Sequence, residues 1–287
     1  MILLVDSGAT KADWVAIDKD GTRLFSSQTK GLSPESVDKD EMLIRLNERF
    51  DISQNRNNVE KIFFYGAGCA TDNLKSIVIS ALKEFFPKVQ TVVVEEDIYG
   101  VVYSTTPIGT EAIVCILGTG SNCSYYDGEK LHQKIISLGY LLMDDCSGNK
   151  LGAELVRAYN FKKLPPELSE KLVKEYKMDI DFIKENLYKK SNPNAYLATF
   201  AKFIIQNKDH QFIKEIINRQ MQFFIDYYIK QYPNCYDVPI NFNGSICFYL
   251  KDELEKKLAE NNLKLGTVIR RPIDGLIDYV CKHKLKD

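Results

Sequence analysis

Two glycine-bearing turns, each set between apolar strands and each opening one half of the chain, constrain this sequence more than any other feature. The first is Met1-Ile-Leu-Leu-Val-Asp6-Ser-Gly8-Ala-Thr10-Lys11, after which Trp14, Val15 and Ile17 resume the apolar pattern. The spacing predicts a hairpin with strand 2–6, turn 7–11, strand 12–18 and a second turn at Asp18-Lys-Asp-Gly21. The second is Ala112-Ile-Val-Cys-Ile-Leu117, which runs into Gly118-Thr119-Gly120-Ser121-Asn122-Cys123 and then a strand ending at the turn Asp127-Gly128. Backbone N–H groups, hydroxyls, a lysine and a carboxylate gathered at such a turn are the parts that hold a phosphate and its Mg²⁺. Ordinary surface hairpins also use Asp, Gly and Thr, for geometric reasons alone. Two turns of this kind, one per half, point to a duplicated architecture with one phosphate-holding turn in each half.

The remainder of the chain reads as alternating strands and helices. A third strand at 22–28, a helix at 38–50, a polar surface loop at 51–58 and a strand at 60–65 follow the first hairpin. A helix at 71–86 opens at Thr71-Asp72, two residues suited to capping. Strand 89–94 leads to Asp97 and a short helix 98–103, and Thr105-Thr-Pro107-Ile-Gly109 is the best crossing between halves. The second half repeats the three-strand opening at 111–117, 121–126 and 129–136. Helices then follow at 150–160, 167–175, 179–187, 193–206 and 209–231. In the last, Phe212, Ile216, Ile217, Phe223, Phe224, Tyr227 and Tyr228 recur at helical spacing and read as core. A strand at 238–242, a helix 246–260, a strand 267–270 and a helix 274–281 close the chain.

Composition narrows the function classes. With 287 residues, 45% apolar content, 15 Phe and 16 Tyr, the chain can fill two cores. A formal net charge of −1 offers no basic field for nucleic acid or an anionic membrane. No apolar run reaches the about 18 residues of a membrane span, and the apolar start stops at Asp6, too short for a signal peptide. Seven cysteines, odd in number and without a CxxC pair, favour free thiols in a reducing cytoplasm over disulfides or structural zinc.

With these segments in order, the chain resembles the sugar kinase, actin and Hsp70 superfold, and within it the N-acetylglucosamine kinase-like group shared with the BadF/BadG-type ATPases. Asp6-x-Gly8-x-Thr10-Lys11 resembles the first phosphate motif and Gly118-Thr119-Gly120-Ser121 the second. Tyr65-Gly66-Ala67-Gly68 resembles the element after the third family strand, and Val94-Glu95-Glu96-Asp97 the strand end that carries the catalytic Asp. Leu138-Gly139-Tyr140 and Asp144-Asp145-Cys146-Ser147-Gly148 through Gly152 resemble a glycine-rich family run, with Met143 and Cys146 standing where glycines are usual. Asn243-Gly244-Ser245 resembles the adenosine-side turn. The cysteine-rich zinc loop of the repressor branch is missing, and Cys115 and Cys123 are not spaced for the iron–sulfur site of the activator ATPases.

The resemblance implies an α/β protein of two ribonuclease H-like, actin-like ATPase domains with a nucleotide cleft between them. The first would span 1–107, completed by a terminal helix in 272–287; the second would span 108–271 with a helical insertion at 153–232. It implies ATP and Mg²⁺ as cofactors, an amino sugar as small-molecule partner and a cytoplasmic enzyme for which a homodimer is compatible. Asp97 becomes the base toward the sugar hydroxyl, with Glu96 its nearest competitor and plain helix capping the alternative. Asp6 holds the metal; Gly8, Thr10, Lys11, Gly118, Thr119 and Gly120 contact phosphate; Gly244 and Ser245 lie against adenosine. Ser33, Ser121, Asn122, Asp144 and Asp145 bind the acceptor, since a site built to hydrogen-bond hydroxyls rejects substrates without them.

Readings from different classes stay open. One is a kinase for N-acetylglucosamine, with glucosamine or N-acetylmuramic acid as variants. Another is a BadF-type switch ATPase that acts on a protein partner, and a third is a degenerate relative that senses its ligand.

Overall fold

The computed structural model describes residues 1–8, 10–190 and 192–285. Ala9 in the first turn and the last two positions of the expected terminal segment lie outside the described residues. The chain divides into two compact units, Met1–Ile108 with Arg271–Asp287, and Gly109–Arg270.

In the first unit the apolar stretch at the N-terminus forms β1 (Ile2–Ser7), which hairpins into β2 (Lys11–Ile17) and β3 (Arg23–Lys30). After the helices α1 (Lys39–Asn47) and α2 (Phe50–Ser53), β4 (Lys61–Gly66) pairs parallel with β1. Helix α3 (Asp72–Phe85) then crosses to β5 (Thr91–Glu96), which runs directly into α4 (Asp97–Thr105). The sheet order is β3-β2-β1-β4-β5. β1 shows why the first residues are apolar without alternation. Leu3 and Val5 face a core built with α1, α2 and α3, whereas Ile2 and Leu4 face a second core built with the closing helix α13 (Ile273–His283). A strand covered on both faces reads as a continuous apolar run.

The second unit repeats the order. β6 (Ala112–Leu117) pairs antiparallel with β7 (Ser121–Tyr126), which pairs with the short β8 (Leu131–His132). On its other edge β6 pairs parallel with β9 (Ile240–Asn243), and β9 with β10 (Leu265–Ile269). Between β8 and β9 lie α5 (Gly148–Asn160), α6 (Pro166–Glu175), α7 (Ile180–Tyr188), α8 (Pro193–Thr199), α9 (Ala201–Gln206), α10 (Gln211–Tyr227) and a 3₁₀ turn at Ile229–Gln231. Helices α11 (Ser245–Tyr249) and α12 (Lys251–Glu260) connect β9 to β10. Two five-stranded sheets of one order, antiparallel in the first three strands and parallel in the others, make each unit a ribonuclease H-like fold.

Several expectations need correction. The strand expected at 129–136 shrinks to Leu131–His132, because Gln133 and Lys134 turn their polar groups away, to Asn122 and to the Tyr232–Gln231 region. The loop expected at 51–58 contains α2, whose Ile52 is buried. The helices expected over 193–206 and 246–260 are each two pieces, broken at Phe200 and Leu250. The aromatic stripe of α10 is only partly core: Phe224 and Tyr228 are buried, while Phe223 and Tyr227 are exposed and pack on each other at 4.3 Å. All seven cysteines are free and all but Cys281 are buried.

Candidate active site

In the first unit the chemistry gathers at the carboxyl ends of β1 and β5. Asp6 is the penultimate residue of β1, and Asp13 of β2 lies directly opposite it in the register. Burial comes first among the causes that push the Asp6 carboxyl up to about 7, followed by the charges of Asp97 and Asp13, against the opposing pull of Lys11 and Arg271. Lys11 Nζ donates to Asp13 Oδ2 at 2.9 Å. Gly8 carries no backbone strain: a Cβ there would meet only the Lys11 carbonyl, at an ordinary 3.6 Å. Glycine is thus not demanded by packing here, and it leaves the backbone bare at the turn. Thr10 is exposed, and its carbonyl accepts from the Gly31 amide at 3.0 Å.

Asp97 is the first residue of α4 rather than the cap; Glu96 holds the cap position and its side chain makes no capping bond. Burial, then the Glu96 charge, push the Asp97 carboxyl up to about 6, opposed by amide donation from Ile98 and from Asp97 itself. Burial also raises Glu96. The loop after β3 comes to the same end of the sheet, because the Leu32 amide donates to Ser7 Oγ at 3.0 Å and the Ala67 amide to the Ser7 carbonyl at 2.8 Å. Buried Ser33 and the side chain of Glu35 press against Gly68, whose φ of +77° and missing Cβ make the close approach feasible.

In the second unit the turn after β6 is clamped by the start of the inserted helix α5. The Gly148 amide donates to the Gly118 carbonyl at 2.8 Å, and Asn149 donates to the Thr119 carbonyl from its amide at 3.1 Å and its side chain at 2.7 Å. Ser147 caps α5, so the positive helix end lies at the turn. Gly118, Thr119 and Ser245 line one cavity of about 530 Å³ with Lys202, Gln206 and Tyr249. That size falls within the about 300–1,000 Å³ of small-ligand pockets. A Cβ on Gly118 would touch nothing, so its bareness again serves approach to the backbone. Gly244 does not line the cavity; it is packed behind it.

The acceptor candidates of this unit are placed as follows. The Asp144 carboxylate takes donations from the Ser121 amide at 3.3 Å, Ser137 Oγ at 3.2 Å and Asn149 Nδ2 at 3.4 Å, and it abuts Gly120. It braces the turn. Asp145 is buried, with Tyr228 donating to Oδ2 at 3.0 Å and Lys150 Nζ at 3.5 Å from Oδ1. Asn122 Oδ1 accepts from Gln133 at 3.1 Å. Ser121 Oγ is buried with no partner among the described residues. Cys146 stands at φ +60°, the left-handed region that favours glycine, the residue expected at this position from the resemblance. Met143 is half-buried and packs on the core of this unit.

No family sequence model and no curated protein sequence matches the chain. Solved structures do. A Porphyromonas gingivalis protein described as a candidate N-acetylglucosamine kinase matches with a TM-score of 0.92 and 32% identity, over 99% of this chain and 100% of its own. The chain belongs to the N-acetylglucosamine kinase-like family. A Chromobacterium violaceum protein of the same description matches at TM-score 0.69 and 15% identity, over 97% of this chain and 98% of that one. A Streptomyces griseus ROK family glucokinase, solved with glucose and AMPPNP, matches at TM-score 0.59 and 15% identity, over 99% and 98%. The latter two establish the shared fold.

Within this family frame, the sequence alone did not single out Asp13, Glu35, Lys202, Gln206 or Tyr249, and Tyr228 read as core only. Lys202 and Gln206 share one face of α9 by their i, i+4 spacing, a pattern visible in the sequence but hidden inside a segment read only as insertion. Asp13 could have been found from its place on a strand otherwise buried on that face.

Residues for the metal also fit. Asp6 makes no side-chain hydrogen bond to any described residue and is crowded by two acids. Among the described residues no three His, Cys, Asp or Glu side chains converge on one point. The Asp6 carboxylate is a hard oxygen donor of the kind Mg²⁺ takes, one or two carboxylates with water and phosphate oxygens filling its shell.

Proposed function

We propose that the protein is an ATP-dependent kinase that phosphorylates a hydroxyl of an amino sugar, with N-acetylglucosamine foremost. The observation that carries the reading is the full-length match, at 32% identity, to a candidate N-acetylglucosamine kinase, joined to a carboxylate at the carboxyl end of β5. The fit of an ATP analogue to this fold is supported by the glucokinase solved with AMPPNP.

Phosphoryl transfer to an alcohol needs charge neutralisation, alignment and a proton acceptor. Asp97 is the acceptor: with its carboxyl raised to about 6, it is ionised at neutral pH yet basic enough to take the hydroxyl proton as the new bond forms. The amides of Ile98 and Asp97 keep it ionised and oriented. Lys11 and Thr10 contact phosphate from the first turn, and the Gly118–Gly120 backbone and Thr119 from the second. Asp6 would hold Mg²⁺, which would supply neutralisation of the phosphate charge. Lys202, Gln206, Tyr249 and Ser245 receive the nucleoside in the cavity of the second unit. Asp145, held by Tyr228 and Lys150, together with Ser33, Ser121 and Asn122, hydrogen-bonds the sugar hydroxyls, while Asp144 keeps the turn in shape.

A coupled ADP-release assay with a panel of hexoses and amino sugars tests the proposal. Release dependent on an amino sugar, N-acetylglucosamine before glucosamine and N-acetylmuramic acid, is expected. Phosphate release that is indifferent to every sugar would favour the switch ATPase instead.

A further inference from the structure

Across β1, β2 and β3 three polar residues stand in one row on one face of the sheet. Asp6 is opposite Asp13, and Asp13 is opposite Gln28. Directly opposed residues share a face and approach closely, and like charges there are destabilising. Asp13 is also nearly covered: only 6% of the residue is exposed. A buried carboxylate next to a second carboxylate is an unfavourable arrangement for stability alone, so its surroundings matter.

Those surroundings include two cations, Lys11 and Arg271, whose charges also act on Asp6. Lys11 Nζ donates to Asp13 Oδ2 at 2.9 Å, Gln28 Nε2 donates to Oδ1 at 2.5 Å, and Arg271 Nη1 is 3.9 Å from Oδ1. Lys11 is the residue that ends the first phosphate turn. Its ammonium has several rotatable bonds and is half-exposed, and a free lysine of that kind loses much rotamer freedom on binding a phosphate. A buried, two-fold hydrogen-bonded acid is a fixed post to which it can be moored. The Arg271 guanidinium, with Asp13 and Gln28, lines a hollow of about 350 Å³ in the same unit.

We infer that Asp13 is a positioning residue for phosphate binding: it moors the Lys11 ammonium, with Arg271 alongside, beside Asp6. This rests on the kinase reading above. Asp13 touches neither the transferred group nor the acceptor; it acts through Lys11.

The variant Asp13→Asn separates this role from a structural one. Asparagine keeps the shape and an oxygen for Gln28, and it removes the like-charge neighbour of Asp6, so the thermal midpoint should hold or rise. The mooring of Lys11 loses its charge, so the KM for the Mg-nucleotide and its Kd by calorimetry should rise about tenfold, with kcat and the sugar KM little changed, the scale of one charge-assisted hydrogen bond. Lys11→Met should weaken nucleotide binding similarly. The double variant Lys11→Met/Asp13→Asn should then be no weaker than Lys11→Met alone, because the two act as one unit. Additive losses in that cycle, or a lowered midpoint with unchanged nucleotide affinity, would overturn the inference. A wild-type enzyme that binds the nucleotide but transfers to no sugar would instead overturn the kinase reading and leave the binding cycle interpretable.

Discussion

Gly244 is packed against the carbonyl of Leu117: a Cβ added to it would lie 2.2 Å from that oxygen, and the residue holds φ +127°. Gly244 directly follows β9, and Leu117 ends β6 just before the Gly118–Gly120 turn. The absence of a side chain therefore sets how closely these two neighbouring strand ends approach. Gly244→Ala should destabilise the protein by about 2–4 kcal/mol, through backbone strain and overpacking together. Nucleotide affinity should fall with it, since the displaced atoms belong to the Gly118 turn. Chemical denaturation with and without Mg-ADP checks both; an unchanged midpoint would refute the packing argument.

Asp97→Asn should lower kcat by about 10²–10⁴-fold, the usual range for loss of a positioned base, while the Kd for nucleotide stays within a few-fold. The variant should also be the more stable protein at neutral pH, by on the order of 1–2 kcal/mol after allowance for partial solvent exposure. Turnover within tenfold of wild type would remove Asp97 from the role of base.

The pH dependence follows from the same carboxyl. Asp97 must be ionised to accept a proton, so kcat/KM should be flat above neutrality and fall as pH drops through about 6. For stability the direction is opposite to that of a salt-bridged acid. The folded-state value, about 6, lies above the unfolded value of 3.8. The native state therefore binds more protons across that interval, and stability is lost as pH rises through it. The stability difference between Asp97→Asn and wild type should open between about pH 4 and 7 and vanish below it. Denaturation series at pH 3.5, 5.5 and 7.5 measure this directly.

In the second unit, Lys202→Met should raise the KM for nucleotide by about three- to tenfold without altering the sugar KM, the pattern expected when a side chain lines only the cavity proposed for the nucleotide. Steady-state kinetics with each substrate varied in turn distinguish this from a general loss of fold. An equal rise in both constants would place Lys202 elsewhere in the mechanism.

Much of the fold was legible because strand and turn patterns are local. The run Ile2–Val5 and the run Ala112–Leu117 are apolar without alternation, and each breaks at small, hydroxylated residues; both became central strands. Thr71 does cap the helix it precedes, accepting from the Leu74 amide. Less legible were elements whose existence depends on packing partners. The strand at 129–136 carried acceptable residues but lacks a partner beyond His132. The helix pattern of 209–231 held, yet the exposed side of Phe223 and Tyr227 could not be told from the buried side of Phe224 and Tyr228, because the helical spacing admits a wide stripe.

The order of residue types along the chain was enough to specify a duplicated α/β architecture, the two glycine-bearing turns and the acid at the end of β5, since these arise from short-range backbone preferences and apolar periodicity. Sequence proximity could not reveal which charges meet. That Asp13 faces Asp6 and holds Lys11, that Tyr228 reaches Asp145 from a helix 83 positions away, and that Lys202 and Ser245 share one cavity all depend on strand register and helix packing. Proton affinities belong to the same category: Asp6 and Asp97 are ordinary aspartates in the chain, and only burial beside other acids raises their carboxyls to about 7 and about 6.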